Sequence, residues 1–318
     1  MNAGETESAG RSAISSHSLL RRLAGVMPAP LDGLCEFGAG GIADARGMLD
    51  VLRGVGIEGR DPEYIRRTLP LLRSAVAAYF RPEVRGLENI PESGPVLLVG
   101  NHSGGMLIAD TFVFACEFYA RFGPERRFHQ LAHDVVVRVP YLGGLRRYGT
   151  VAASHANAEA AFAEQAAVLV YPGGDYETFR PSWESAEVDF GNRQGFLRLA
   201  LRAKVPIVPV VSLGGQETAL FLTRGERIAH LLPLDRLLRS RVLPVSVGPP
   251  FGLTIFDLPA RVPLPAKISI SVLPPLDVRE LAGRGSNRDL ATAYNQVIDL
   301  MQSELTVMQE SRSVPVLG

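Results

Sequence analysis

The chain has 318 residues, 46% of them hydrophobic, enough to bury a large core within one α/β domain. Its 33 basic side chains balance 33 acidic ones, which excludes a global field that would gather nucleic acid, so any preference for a charged surface rests on local patches. Two cysteines, Cys35 and Cys116, exclude a disulfide framework and read as small buried hydrophobes of a reducing, cytoplasmic compartment.

In chain order, residues 1–17 are small and polar, which predicts a disordered start without the apolar segment of a signal peptide. A helical extension over residues 18–80 follows, with a first helix near 43–55. The second has Asp61 as cap and Pro62 at the first helical position, and it runs to Phe80 with Ile65, Leu69, Leu72, Val76 and Tyr79 on one face. Residues 96–99, Val-Leu-Leu-Val, read as an inner strand of a covered sheet. Beyond it the pattern predicts helices over 111–122, 156–166, 195–203 and 289–309. Strands are expected over 128–137, 148–154, 168–171, 207–212 and 267–273. This rhythm predicts an α/β fold, a single mainly parallel sheet covered by helices. No stretch reaches the ~18 uninterrupted apolar residues of a membrane-spanning helix.

Chemistry concentrates just past the 96–99 strand, in Gly100-Asn101-His102-Ser103-Gly104-Gly105. The carboxyl edge of such a sheet is where ligands bind, and the glycine pair lets a substrate approach the backbone. His102 is the candidate general base, since imidazole titrates near neutral pH. Asp110 is the candidate carboxylate to orient it, although it equally suits a cap on the helix that it opens. His133-Asp134 is a reserve pair. Backbone N–H groups near Gly104 and Gly105 are the expected donors to an oxyanion. No Gly-x-Ser-x-Gly elbow, phosphate-binding glycine loop or His-Glu-x-x-His pair occurs, so neither a cofactor nor a metal is expected.

Three stretches in order carry a likeness: Gly100-Asn101-His102-Ser103-Gly104-Gly105 with Asp110, then Tyr171-Pro172-Gly173-Gly174-Asp175-Tyr176-Glu177, then Val205-Pro206-Ile207-Val208-Pro209-Val210. The set resembles the PlsC-like glycerolipid and lysophospholipid acyltransferases, in the form closest to the diacylglycerol and monoacylglycerol acyltransferase branch. The resemblance spans about residues 81–215 and places the acyltransferase domain at 81–318. It implies transfer of a fatty acyl chain from acyl-CoA or acyl carrier protein to a lipid hydroxyl. It further implies substrate contacts from Ser103, Gly104, Gly105, Gly173, Gly174 and Pro206, with Glu177 and Arg180 binding the acceptor. The family's His-x-x-x-x-Asp spacing is altered here, since Leu107 stands at the aspartate position and Asp110 lies eight residues on. That departure keeps open a catalytically silent relative that binds lipid or acyl carrier.

The resemblance also bears on the acceptor. Relatives that acylate glycerol phosphates carry a basic residue in the second motif, where this chain has Gly149-Thr150-Val151-Ala152-Ala153-Ser154. Asp175 and Glu177 add negative charge close by, so a neutral acceptor is expected over lysophosphatidic acid, the alternative that Arg146, Arg147 or Arg193 would serve. Lipid acceptors require a membrane surface. Residues 221–243, leucines mixed with arginines, read either as a peripheral docking segment or as a core-packed helical pair.

Overall fold

A computed structural model describes residues 56–314, apart from 107, 134–136, 138–142, 227–228, 230–241, 259–260 and 284. The expected disordered start and first helix, Cys35, Asp134 and most of the 221–243 segment lie outside the described residues.

Helix α1, Pro62–Phe80, starts as its sequence dictates, with the Asp61 side chain accepting from the Tyr64 N–H and proline in the first turn. Then follow β1, Glu83–Arg85; β2, Val96–Gly100; α2, Ala109–Phe122; β3, Phe128–Ala132; α3, Gly143–Arg147; β4, Thr150–Ala152; and α4, His155–Ala163. The second half holds β5, Ala167–Val170; α5, Gly174–Thr178; α6, Gly195–Ala203; β6, Ile207–Leu213; β7, Leu220–Thr223; β8, Val245–Gly248; β9, Gly252–Ile255; β10, Ser269–Val272; α7, Val278–Ala282; and α8, Asn287–Glu310. A capping box at Ser286 and Asp289 opens α8.

Seven strands form the main sheet in the order β1-β10-β6-β2-β5-β3-β4. From β6 to β4 all neighbours are parallel, and β10 runs antiparallel to β6. Both faces are covered, which is why the inner strands read as unbroken apolar runs. Leu97, Val99, Val168 and Ile207 pack under α4, α6, α7 and α8, while Val96, Leu98, Leu169 and Val208 pack under α1 and α2. Ile65, Val76 and Phe80 of α1 belong to that second cluster.

The single expected sheet is joined by a second one, antiparallel in the order β7-β8-β9. It is reached from the carboxyl end of β6. The chain therefore re-enters the main sheet from that edge, which makes β10 antiparallel. The strand expected over 128–137 stops at Ala132, leaving His133 just past its end. No helix among the described residues is long and apolar enough to cross a membrane.

Candidate active site

The loop after β2 is held by its own backbone. Five successive N–H groups are spoken for: His102 donates to Glu177 Oε2 at 2.8 Å, Ser103 to the Asp110 carboxylate, Gly104 to Gln216 Oε1 at 3.1 Å, Gly105 to the Thr178 carbonyl at 3.3 Å, and Met106 to Asp257 Oδ2 at 2.7 Å. The carbonyls are held as well, that of His102 by Arg180 at 3.1 Å and that of Gly104 by Arg261 at 3.0 Å. Gly104 and Gly105 have φ of 91° and 72°, the left-handed region, and a Cβ on Gly105 would lie 2.1 Å from Asp257 Oδ2. These glycines serve the close packing of the loop, and the N–H groups expected to meet an oxyanion are already bonded within the protein.

Glu177 and Arg180, expected at the acceptor, are 0% and 1% exposed. The Glu177 carboxylate accepts from the His102 and Asp189 N–H groups, and Arg180 lies 3.5 Å from it while also donating to the His102, Glu177 and Ser185 carbonyls. Burial pushes the Glu177 carboxyl up, against the pull of Arg180 and the two N–H donors. Both side chains have become the seat of the His102 loop. Sequence reasoning missed two more parts of that seat, Gln216 and the buried Asp257–Arg261 pair, whose Nε–Oδ1 distance is 2.7 Å. The available signal was an opposite-charge pair four residues apart within an apolar, proline-rich stretch.

Asp110 is buried at the start of α2 and accepts from Ser103 Oγ at 3.1 Å, Ser212 Oγ at 3.2 Å and the Thr111 N–H at 2.7 Å. The hydrogen bond anticipated between it and His102 is not formed: His102 Nδ1 is shielded from solvent and has no partner. Seven residues stand between them, and the carboxylate is turned toward Ser212 of β6 instead. The two groups connect less directly, because Thr111 Oγ1 donates to Tyr171 Oη at 2.7 Å and the Tyr171 ring stacks on the imidazole at 4.3 Å. Burial and the neighbouring Arg180 guanidinium push the imidazole down to about 3, away from the near-neutral titration expected of it, so at physiological pH it is neutral and a weak base.

Burial pushes the Asp110 carboxyl up to about 6 against its four donors, the Thr111 and Ser103 N–H groups and the Ser103 and Ser212 hydroxyls. The folded state thus binds this proton more tightly than the unfolded chain does. Stability from the protonated carboxyl is full below the unfolded value near 3.8 and is lost as pH rises through about 6. Asp110→Asn removes that dependence. Its melting temperature relative to the parent is expected to climb between about pH 4 and about pH 8, by the equivalent of about 3 kcal/mol at most. A difference that stays constant across that range, read by thermal melts, refutes a raised Asp110.

His102 opens onto a cavity of about 460 Å³, within the usual size of a small-molecule site. Met106, Ile108, Phe112, Leu131, Leu145 and Phe179 give it apolar walls, and Gly105 and Gly174 lie at its lining with Tyr171, Thr111, Gln130 and His133. Among the described lining residues Arg193 is the one guanidinium or ammonium. It pairs with Asp175 at 3.2 Å and donates to the Gly173 carbonyl at 2.6 Å. Arg147 instead stacks over Tyr64. Ser103 and Gly173 back the cavity through these contacts. Pro206 does not reach it: its carbonyl accepts from Leu97 at the amino end of β2, and β2 and β6 are parallel, so it sits about 16 Å of strand away from His102.

Fold and site together define an α/β enzyme with a histidine at the carboxyl edge of its sheet and an apolar substrate cavity beside it. A family model described as Acyltransferase matches residues 81–213. The chain is 30% identical over 252 residues to the Mycobacterium tuberculosis protein named Uncharacterized protein Rv0502, spanning 78% of this chain and 67% of that one. It is 31% identical over 149 residues to the Bos taurus DGAT1/2-independent enzyme synthesizing storage lipids, covering 46% of this chain and 42% of that one. With Arabidopsis thaliana Phytyl ester synthase 2, chloroplastic, identity is 33% over 141 residues, 41% of this chain and 19% of that one. The chain belongs to the acyltransferase family.

Proposed function

We propose that this enzyme moves a fatty acyl chain from a thioester, acyl-CoA or acyl carrier protein, to the hydroxyl of an uncharged lipid alcohol, working peripherally at a cytoplasmic membrane face. The observation that carries this reading is a neutral imidazole lining an apolar cavity in which, among the described lining residues, the one guanidinium is already paired. The acyl chain lies along the apolar wall with its thioester carbonyl near His102. His102 takes the hydroxyl proton as the acceptor oxygen attacks that carbonyl, the tetrahedral intermediate collapses, and the proton passes to the departing thiolate. Asp110 contributes as a positioning residue, fixing Thr111 and through it the Tyr171 ring that sets the imidazole plane. Glu177 and Arg180 do the same for the backbone of His102. Among the described lining residues a phosphomonoester would meet no guanidinium beyond the one already paired with Asp175, so nothing there offsets the cost of taking its charge out of water.

The purified enzyme, supplied with acyl-CoA, is expected to acylate mono- or diacylglycerol with a higher kcat/KM than lysophosphatidic acid. A higher value for lysophosphatidic acid overturns the neutral acceptor. Binding of lipid with no acyl transfer to any acceptor overturns the catalytic reading.

A further inference from the structure

The outward face of the second sheet is aliphatic. By register Leu220 stands across from Val247, Val247 across from Leu253, and Val245 across from Ile255, so these side chains share one face. Leu253 and Ile255 are each 66% exposed, Leu220 is 46% exposed, and Leu222 is exposed beside a bulge in β7. The inward face holds Phe221 and the hydroxyls of Ser246 and Thr254, which bond each other at 3.1 Å. An antiparallel sheet with one wet face ordinarily turns its polar residues outward. Here the alternation is inverted, and a contiguous apolar face of this kind marks an interaction surface.

Its place in the fold and the charge beside it say what it meets. Val242 and Leu243 lead into β8 and Phe256 follows β9, and all three line the cavity, so the aliphatic face adjoins the cavity mouth. The sequence joining β7 to β8 carries Arg227, Arg236, Arg239 and Arg241 against Glu226 and Asp235, while Arg224 is held by Glu184 and over the Tyr176 ring. Aliphatic side chains with surplus arginine in the adjoining sequence complement an anionic bilayer surface, where the apolar groups enter the acyl boundary. We propose that the β7-β8-β9 face is the surface by which the enzyme docks on the bilayer, so that lipid passes from the leaflet into the cavity without crossing water. This rests on the lipid acceptor proposed above.

The test is flotation of the full chain with vesicles of phosphatidylcholine, alone and mixed with phosphatidylglycerol, for the parent and for the Leu253→Thr, Ile255→Thr double variant. Threonine keeps strand propensity at both positions. The parent is expected to float, more fully with phosphatidylglycerol, and the variant to bind about tenfold more weakly. Turnover of diacylglycerol presented in vesicles falls in parallel, while turnover of a water-soluble short-chain monoacylglycerol is unchanged. Undiminished flotation of the variant overturns the proposal. If light scattering then shows a parent dimer and a monomeric variant, a second copy covers the face; if the variant melts several degrees lower, the chain covers it itself. A parent that acylates the short-chain acceptor yet floats with neither vesicle refutes the docking surface alone, whereas a parent that floats without acylating anything refutes the proposed reaction alone.

Discussion

His102→Ala is expected to lower kcat for acyl transfer by about 10³-fold while moving the melting temperature by no more than a few degrees. Positioned general bases contribute on this scale, and no other imidazole is seated in the same loop. The fold survives because the structural work at this position belongs to the backbone. The N–H that Glu177 holds and the carbonyl that Arg180 holds persist in alanine. What is lost is one face of the stack on Tyr171 and a shielded nitrogen with no partner, whose removal relieves as much as it costs. A steady-state assay beside a thermal melt decides the matter, and a variant that keeps most of its turnover refutes the assignment of the base.

Arg261→Ala is expected to damage stability more than any change at the histidine. The guanidinium is buried against Asp257 and also donates to the Thr218 and Gly104 carbonyls. Its truncation leaves a carboxylate in the interior with no countercharge, a loss of about 3–5 kcal/mol. That corresponds to a melting temperature lower by about 10 °C. Activity falls with it, because the Asp257 that accepts from Met106 is no longer fixed. Asp257→Asn is milder, since a carboxamide still presents an oxygen to that N–H. Equal melting temperatures for the parent and Arg261→Ala, measured by circular dichroism, refute the role of the pair.

The main sheet was legible because inner strands buried on both faces leave unbroken apolar runs such as Val96 to Val99 and Ala167 to Val170. Helix α1 was legible from its Asp61 cap, Pro62 in the first turn and the apolar stripe that follows. The second sheet was not, because its strands are four residues long, so the Val-Ser-Val and Leu-Thr-Ile alternations of β8 and β9 are too short to stand out. At the site, His102 and its glycines were readable as a local motif. The roles of Glu177, Arg180, Gln216 and Asp257 were not, because each is defined by a backbone group 75 to 151 residues away.

That pinning of the loop sets an order of assembly. Strand β2 pairs with neighbours that are all in place once β6 is laid down, but the loop beyond it waits for acceptors contributed at 177, 178, 216 and 257. Closing contacts over such separations is the slow part of folding, because the entropy of closing long loops is lost before any bond rewards it. The base is therefore seated late, after β2 has paired with β5 and β6. A nascent chain that has not yet extended past residue 257 holds the strand, the cavity's first wall and the histidine, and it lacks the final clasp on the loop that aims it.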